Sequence, residues 1–124
     1  MSRDAQHLRT GERGEALAVT FLEERGLEIV ARNYRWSRAE VDIVARGDKM
    51  LHFIEVKTRH WLDAQLARDA VTRKKQGLIK GAAGFFMEDT DYAGDFQFDI
   101  IVVLLRADGG EKVIWTQDAF GFEN

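Results

Sequence analysis

Two runs joined by a turn decide how this chain folds: Glu40-Val41-Asp42-Ile43-Val44-Ala45, then Arg46-Gly47-Asp48-Lys49, then Met50-Leu51-His52-Phe53-Ile54-Glu55-Val56-Lys57-Thr58. The apolar runs flank a four-residue polar segment containing glycine, which is hairpin spacing. Side chains alternate faces along a strand, so Glu55 and Lys57 share one face, as do Glu40 and Asp42. Pairing through the turn brings Asp42 towards Glu55. On the second strand, Leu51 and Phe53 lie on the Glu55 side, with Ile54 and Val56 opposite. A strand apolar on both faces is interior to a sheet, and a charge placed there needs a partner or a task. Two carboxylates beside one lysine make a compact site of hard oxygen ligands, the kind that magnesium prefers and binds through one or two carboxylates while keeping several waters. An ion pair between Glu55 and Lys57 on a solvated face is the competing reading.

Working outward, Gly11 to Arg25 carries a helical pattern, with Leu17, Val19, Phe21 and Leu22 apolar and Gly26 placed as a helix C-cap. Leu27 to Ala31 reads as a first strand. Arg32 to Arg38 is basic with interleaved aromatics and reads as a solvated loop. In it Arg32, Arg35 and Arg38 are phosphate contacts, while Tyr34 and Trp36 pack into the core rather than stacking on bases. Leu62 to Met87 has apolar residues at helical spacing, among them Leu66, Ala70, Leu78, Ala82, Phe85 and Phe86, with a break expected near Gly77 or Gly81. Phe85 and Phe86 read as core. Phe96 to Leu105 is a buried strand and Val113 to Thr116 a last strand, with Asp118-Ala119-Phe120 a tail docked on the domain. The order α-β-β-β-α-β-β predicts one mixed central sheet flanked by helices.

Composition bounds the function. A chain of 124 residues, 45% hydrophobic and 31% charged, makes one globular domain over 1–124 with residues 1–10 as a flexible lead. The absence of cysteine excludes disulfides, thiolate zinc sites and a cysteine nucleophile. His7, His52 and His60 are too dispersed for a metal pair on one helix turn. A net charge of −3 argues against wholly electrostatic nucleic-acid binding but leaves room for local basic patches. There is no apolar run of membrane-spanning length and no signal peptide, so no membrane partner and a cytoplasmic location are expected.

Several short motifs recur in a set order: Gly14-Glu15, Arg32-Asn33-Tyr34-Arg35, Glu40 to Ala45, Phe53 to Arg59, Ala70-Val71 with Lys75-Gln76, Phe98-Asp99 and Asp118-Ala119-Phe120. Together they resemble the YraN-type family of uncharacterised bacterial proteins. That family is similar to archaeal Holliday junction resolvases within the restriction-endonuclease-like PD-(D/E)xK group. The resemblance implies a restriction-endonuclease-like α/β fold and metal-dependent endonuclease activity on DNA, branched or structured DNA in particular. It assigns Asp42 and Glu55 to a magnesium or manganese ion, with the Val56 carbonyl as a further ligand, and makes Lys57 the catalytic lysine. Glu15 from the first helix and Gln76 from the later helix complete the cluster. Resolvase-like enzymes act as dimers because they cut two strands, so a homodimer is among the partners implied.

Two departures stand out. Ala39 replaces a glycine, tolerable unless positive φ is needed there, and Gln97 replaces an arginine. Beyond the family motifs, Arg59, Arg73, Lys74 and Lys75 extend the basic track. His60 is a weaker substrate contact, His52 a packed strand residue, and Asp99 a buried partner for a basic residue. A binding module for nucleic acid or protein that keeps the nuclease fold without cutting is the alternative function.

Overall fold

The computed structural model describes residues 3–63 and 71–121; for residues 3–8 and 63 it describes the backbone alone. Helix α1 spans Arg3–Glu24, followed by β1 Glu28–Trp36, β2 Ala39–Arg46 and β3 Met50–His60. A 3-10 turn Trp61–Asp63, helix α2 Arg73–Asp89, β4 Asp95–Leu105 and β5 Glu111–Phe120 complete the order. The strands form one sheet in the order β1-β2-β3-β4-β5. All neighbours are antiparallel except β3 and β4, which run parallel from Met50↔Asp95 to His60↔Leu105. This mixed five-stranded sheet with its two helices is the predicted class and is consistent with a restriction-endonuclease-like fold.

Strand β3 is the middle strand and is apolar on both sides, as are its neighbours β2 and β4. Leu51 and Phe53 join Val41, Val44, Ile79, Ala82, Ala83, Phe86 and Phe98 in the core beneath α2. Ile54 joins Ala18, Leu22, Ile43, Ala45, Ile101 and Val103 beneath α1. Burial of these side chains is the main stabilising force of the domain.

Helix α1 ends as its glycine predicts. Gly26 takes φ 84°, and Leu27 N–H donates to Leu22 O while Gly26 N–H donates to Glu23 O, which closes the last turn. It begins at Arg3, ahead of the helical pattern read from Gly11. A second glycine lets α1 approach the sheet: a Cβ on Gly14 would lie 1.8 Å from Thr58 Oγ1. That close approach sets Glu15, the next residue, over the end of β3.

Other boundaries moved for physical reasons. The segment from Arg32 to Trp36 is not a loop but the second half of β1, an edge strand that exposes Arg32, Asn33 and Arg35. Helix α2 runs unbroken through Gly77 and Gly81, started by Thr72, whose Oγ1 accepts the Lys75 N–H at 3.2 Å. Leu66 and Ala70 lie outside the described residues. Asp118 to Phe120 is the end of β5, with Phe120 opposite Phe98, rather than a docked tail. Trp36 and Phe85 are not core: they are 38% and 43% exposed and stack on each other at the surface. Tyr34 does pack inward, edge-on to Phe86.

Across β3, β4 and β5 the sheet carries a buried polar cluster, with Asp99 opposite Ile54. Asp99, fully buried, accepts from His52 Nδ1 at 2.7 Å, Trp115 Nε1 at 2.9 Å, Gln97 Nε2 at 2.9 Å and the Asp118 N–H at 3.0 Å. The basic partner expected for Asp99 is therefore His52. Gln97 serves this cluster as a structural donor.

Candidate active site

The site forms where β2 and β3 part. Their ladder pairs Arg46↔Leu51 through Ile43↔Ile54 and stops there. Beyond it the Val56 N–H donates to the side chain of Asp42, to Oδ2 at 2.7 Å, in place of a backbone carbonyl. Strand β2 also rotates at this point, because Val41 faces the α2 core while Ile43 faces the α1 core. Opposite, Asn33 on β1 takes φ 53°. The rotation leaves Asp42 between the two faces, and it lines a cleft on each side.

The first cleft, about 650 Å³, lies on the α1 side and is lined by Glu12, Glu15, Asn33, Glu40, Asp42, Val56, Thr58, Arg59 and His60, with Thr10 and Gly11. The second, about 190 Å³, lies on the α2 side and is lined by Arg38, Ala39, Glu40, Asp42, Glu55, Lys75, Leu78 and Ile79. Asp42 is thus shared between Glu15 on one side and Glu55 on the other.

Glu55 is only 6% exposed. Its Oε1 accepts from Lys75 Nζ at 2.5 Å, while Oε2 is buried without a hydrogen-bond partner. Buried carboxylate oxygens are normally satisfied, so Oε2, one of two buried side-chain atoms without a partner among the described residues, calls for a ligand. Asp42 is pushed up to about 7 from an ordinary value of 3.8. Burial is the chief cause and the Glu55 charge the next, with Glu15 adding to them; the Val56 N–H and Lys75 act the other way. Carboxylates crowded to this degree gain most from a cation. No group of three or more His, Cys, Asp or Glu side chains among the described residues forms a protein-only cage. The donors instead suit an ion held by one or two carboxylates and water.

Of the predicted site residues, Asp42, Glu55, Val56 and Glu15 converge on these clefts. Glu15 Oε1 accepts from Arg32 Nε at 3.2 Å and Asn33 Nδ2 at 3.0 Å, which fixes it in the first cleft. Lys57 stands two residues beyond Glu55, half-buried, on the α2 side, and lines neither cleft. Gln76 also lines neither; its Nε2 donates to Val71 O at 2.8 Å, and its Oε1 is buried without a partner. Lys75 was read as part of a phosphate track but pairs with Glu55 inside the second cleft. Thr72 is the signal that could have found it: a helix capped there puts Lys75 on the first turn, facing the sheet. Asn33 and Glu40 were not predicted as site residues. Glu40 pairs with Arg35 at 3.5 Å.

The basic track is uneven. Arg32 and Arg35 are engaged in ion pairs, Arg38 and Arg59 line the two clefts, and Arg73 and Lys74 are exposed at the start of α2. Ala39 is buried and outside the positive-φ positions, so no glycine is needed there.

Among the described residues no helix is long and apolar enough to cross a membrane. Residues 14–103 match the family described as "Uncharacterised protein family UPF0102". A UPF0102 protein of Chloroherpeton thalassium is 35% identical over 118 residues, which is 89% of this chain and 92% of the relative. One from Christiangramia forsetii is 38% identical over 94% of this chain and 97% of its own length. Another from Chlorobium phaeobacteroides is 40% identical over 91% and 88%. A family match over most of the chain, with relatives of this identity and length, establishes that the chain belongs to UPF0102, the YraN-type family.

Proposed function

We propose that this chain is a metal-dependent nuclease that hydrolyses phosphodiester bonds of DNA, with branched or structured DNA as its preferred substrate. The observation that supports this reading is that Asp42 and Glu55 line one cleft at the splayed end of β2 and β3, where Glu55 Oε2 is buried and unsatisfied. These residues fit a magnesium or manganese ion, held by Asp42 and Glu55 with the Val56 carbonyl as a further ligand. When bound, such an ion polarises the phosphodiester and lowers the pKa of an attacking water.

The chain's own residues do the rest. The Val56 N–H fixes the Asp42 carboxylate by one oxygen and leaves Oδ1 for binding. Glu15, anchored by Arg32 and Asn33, adds negative charge on the α1 side. Lys57, on the Glu55 side of β3, orients the water or offsets charge building on the phosphate. Lys75 balances Glu55 before substrate arrives. Arg38 and Arg59 flank the clefts and meet the nucleic-acid backbone, with Arg73 and Lys74 extending the path. A homodimer would cut two strands with two such sites.

The rival reading is a binding module that keeps the fold without cutting. The Lys75–Glu55 pair favours it to a degree, since a structural ion pair would look the same; Glu55 Oε2 is what such a pair leaves unexplained. The test is cleavage of linear, flapped and four-way-junction DNA, with matching RNA, in magnesium and then manganese. Glu55→Gln and Lys57→Met are purified alongside. Product lost in both variants supports the nuclease, and DNA binding with no product under either metal supports the module.

A further inference from the structure

We propose that Trp36 and Phe85 form a stacking platform for an unpaired nucleobase, so that the substrate presents a single-stranded or flipped-out nucleotide beside the second cleft. This rests on the nuclease reading of the Asp42–Glu55 site and names its substrate more closely.

The argument starts from where Trp36 sits. It is the last residue of β1, and Ser37, at φ 57°, turns the chain directly into β2. Its indole stacks on Phe85 with centroids 5.7 Å apart and planes 23° from parallel. It also rests on α2 at Gly81, where a Cβ would come within 2.9 Å of Trp36 Cζ3. Two large aromatic rings are therefore held flat against a helix, yet both stay more than a third exposed. Packing alone is served by burying such rings, not by leaving a joined pair in water.

The surroundings select the ligand. Arg38 follows two residues after Trp36 and lines the second cleft with Ala39, Glu55 and Lys75. Leu78, one turn before Gly81 on α2, lines the same cleft. The aromatic pair is thus a neighbour, through Arg38 and Leu78, of a cleft lined by Arg38, Glu40 and Asp42, in which Lys75 is paired with the buried Glu55. An apolar ring surface next to cations is the pattern that takes a base by its π-face and its phosphate by charge, without reading sequence. A protein partner's apolar side chain would use the rings but not the cations, and a blunt duplex keeps its bases stacked away from them.

The test uses the full chain without divalent ion, so that binding is read apart from cleavage. Fluorescence anisotropy is measured with a labelled thymidine 12-mer, a flapped duplex and a blunt duplex. The variants are Trp36→Leu, which keeps apolar cover on Gly81 but cannot stack, and Trp36→Phe, which can. Trp36→Leu is expected to lose about tenfold or more in affinity for the 12-mer and the flap, with the blunt duplex changed less than twofold. Trp36→Phe recovers most of the loss. Equal affinities for Trp36→Leu and the unsubstituted chain on all three DNAs overturn the platform, leaving the rings as surface packing or a protein contact. Failure to bind the 12-mer and the flap at all also overturns it. Cleavage of the same DNAs in magnesium then reports on the nuclease separately: product with no dependence on Trp36 sinks the platform and leaves the nuclease standing.

Discussion

Replacing Asp42 by Asn should make the metal-free protein more stable above neutral pH, although it removes a residue of the proposed site. Asp42 is raised from 3.8 to about 7 in the folded chain. A group whose folded value is raised contributes stability that is full below the unfolded value and lost as pH rises through the folded one. The window of loss is therefore from about 4 to about 7, and each pH unit across it costs ~1.4 kcal/mol. Charged Asp42 thus costs the fold up to ~4 kcal/mol at pH 8, mainly as lost hydration and secondarily as repulsion from Glu55. Asn carries no charge, and its Oδ1 still accepts the Val56 N–H. Thermal unfolding in a metal chelator at pH 8 should show Asp42→Asn melting higher by roughly 10 °C, the gap closing to a few degrees near pH 4. Magnesium should then raise the melting point of the unsubstituted chain and not that of the variant. Equal melting points at pH 8, or a gap that persists unchanged on acidification, refute the claim that burial and crowding act on Asp42.

Lys75→Met leaves Glu55 buried without its counter-charge and should cost ~1–2 kcal/mol, discounted because Lys75 itself is half exposed; saturating magnesium should restore most of it, read by melts with and without the ion. Gly14→Ala drives a methyl into Thr58 and should destabilise by ~1–3 kcal/mol despite the better helix propensity, so a denaturant midpoint at or above that of the unsubstituted chain would show that α1 does not need the close approach. Asp99→Ala strands three buried or half-buried donors, from His52, Trp115 and the Asp118 backbone, and should cost about 3 kcal/mol or more by urea unfolding. Magnesium should still raise the melting point of whatever fraction of Asp99→Ala stays folded, because no residue of that cluster lines either cleft.

The centre of the fold was legible because its signals are local. Alternation along Met50 to Thr58 put Glu55 and Lys57 on one face and marked β3 as interior, and the turn at Gly47 required it to pair with β2. Gly26 marked the end of α1. What escaped depends on distant partners. Strand β1 continues past Ala31 through Arg32 and Arg35, whose edge position leaves them polar and so indistinguishable from a loop. Gly81 reads as a helix breaker until Trp36, 45 positions earlier in the chain, is seen to need the space. Lys75 resembles any lysine on a solvated turn until Glu55 is placed beneath it. The left-handed turns at Asn33, Ser37 and Asp118 have no glycine to announce them.

The parallel pairing of β3 with β4 has a consequence during synthesis. All of β1, β2 and β3 leave the ribosome before α2 and β4 exist to cover them, so Met50–His60 passes through a stage as an open strand edge, apolar on both faces. Such edges recruit other chains. From Leu51 to Val56 the one charge that interrupts the run is Glu55, so this carboxylate also guards the nascent strand against aggregation. An apolar substitution there would lower the yield of folded protein for a reason unrelated to chemistry. Glu55→Gln keeps a polar group on the edge and separates the two effects.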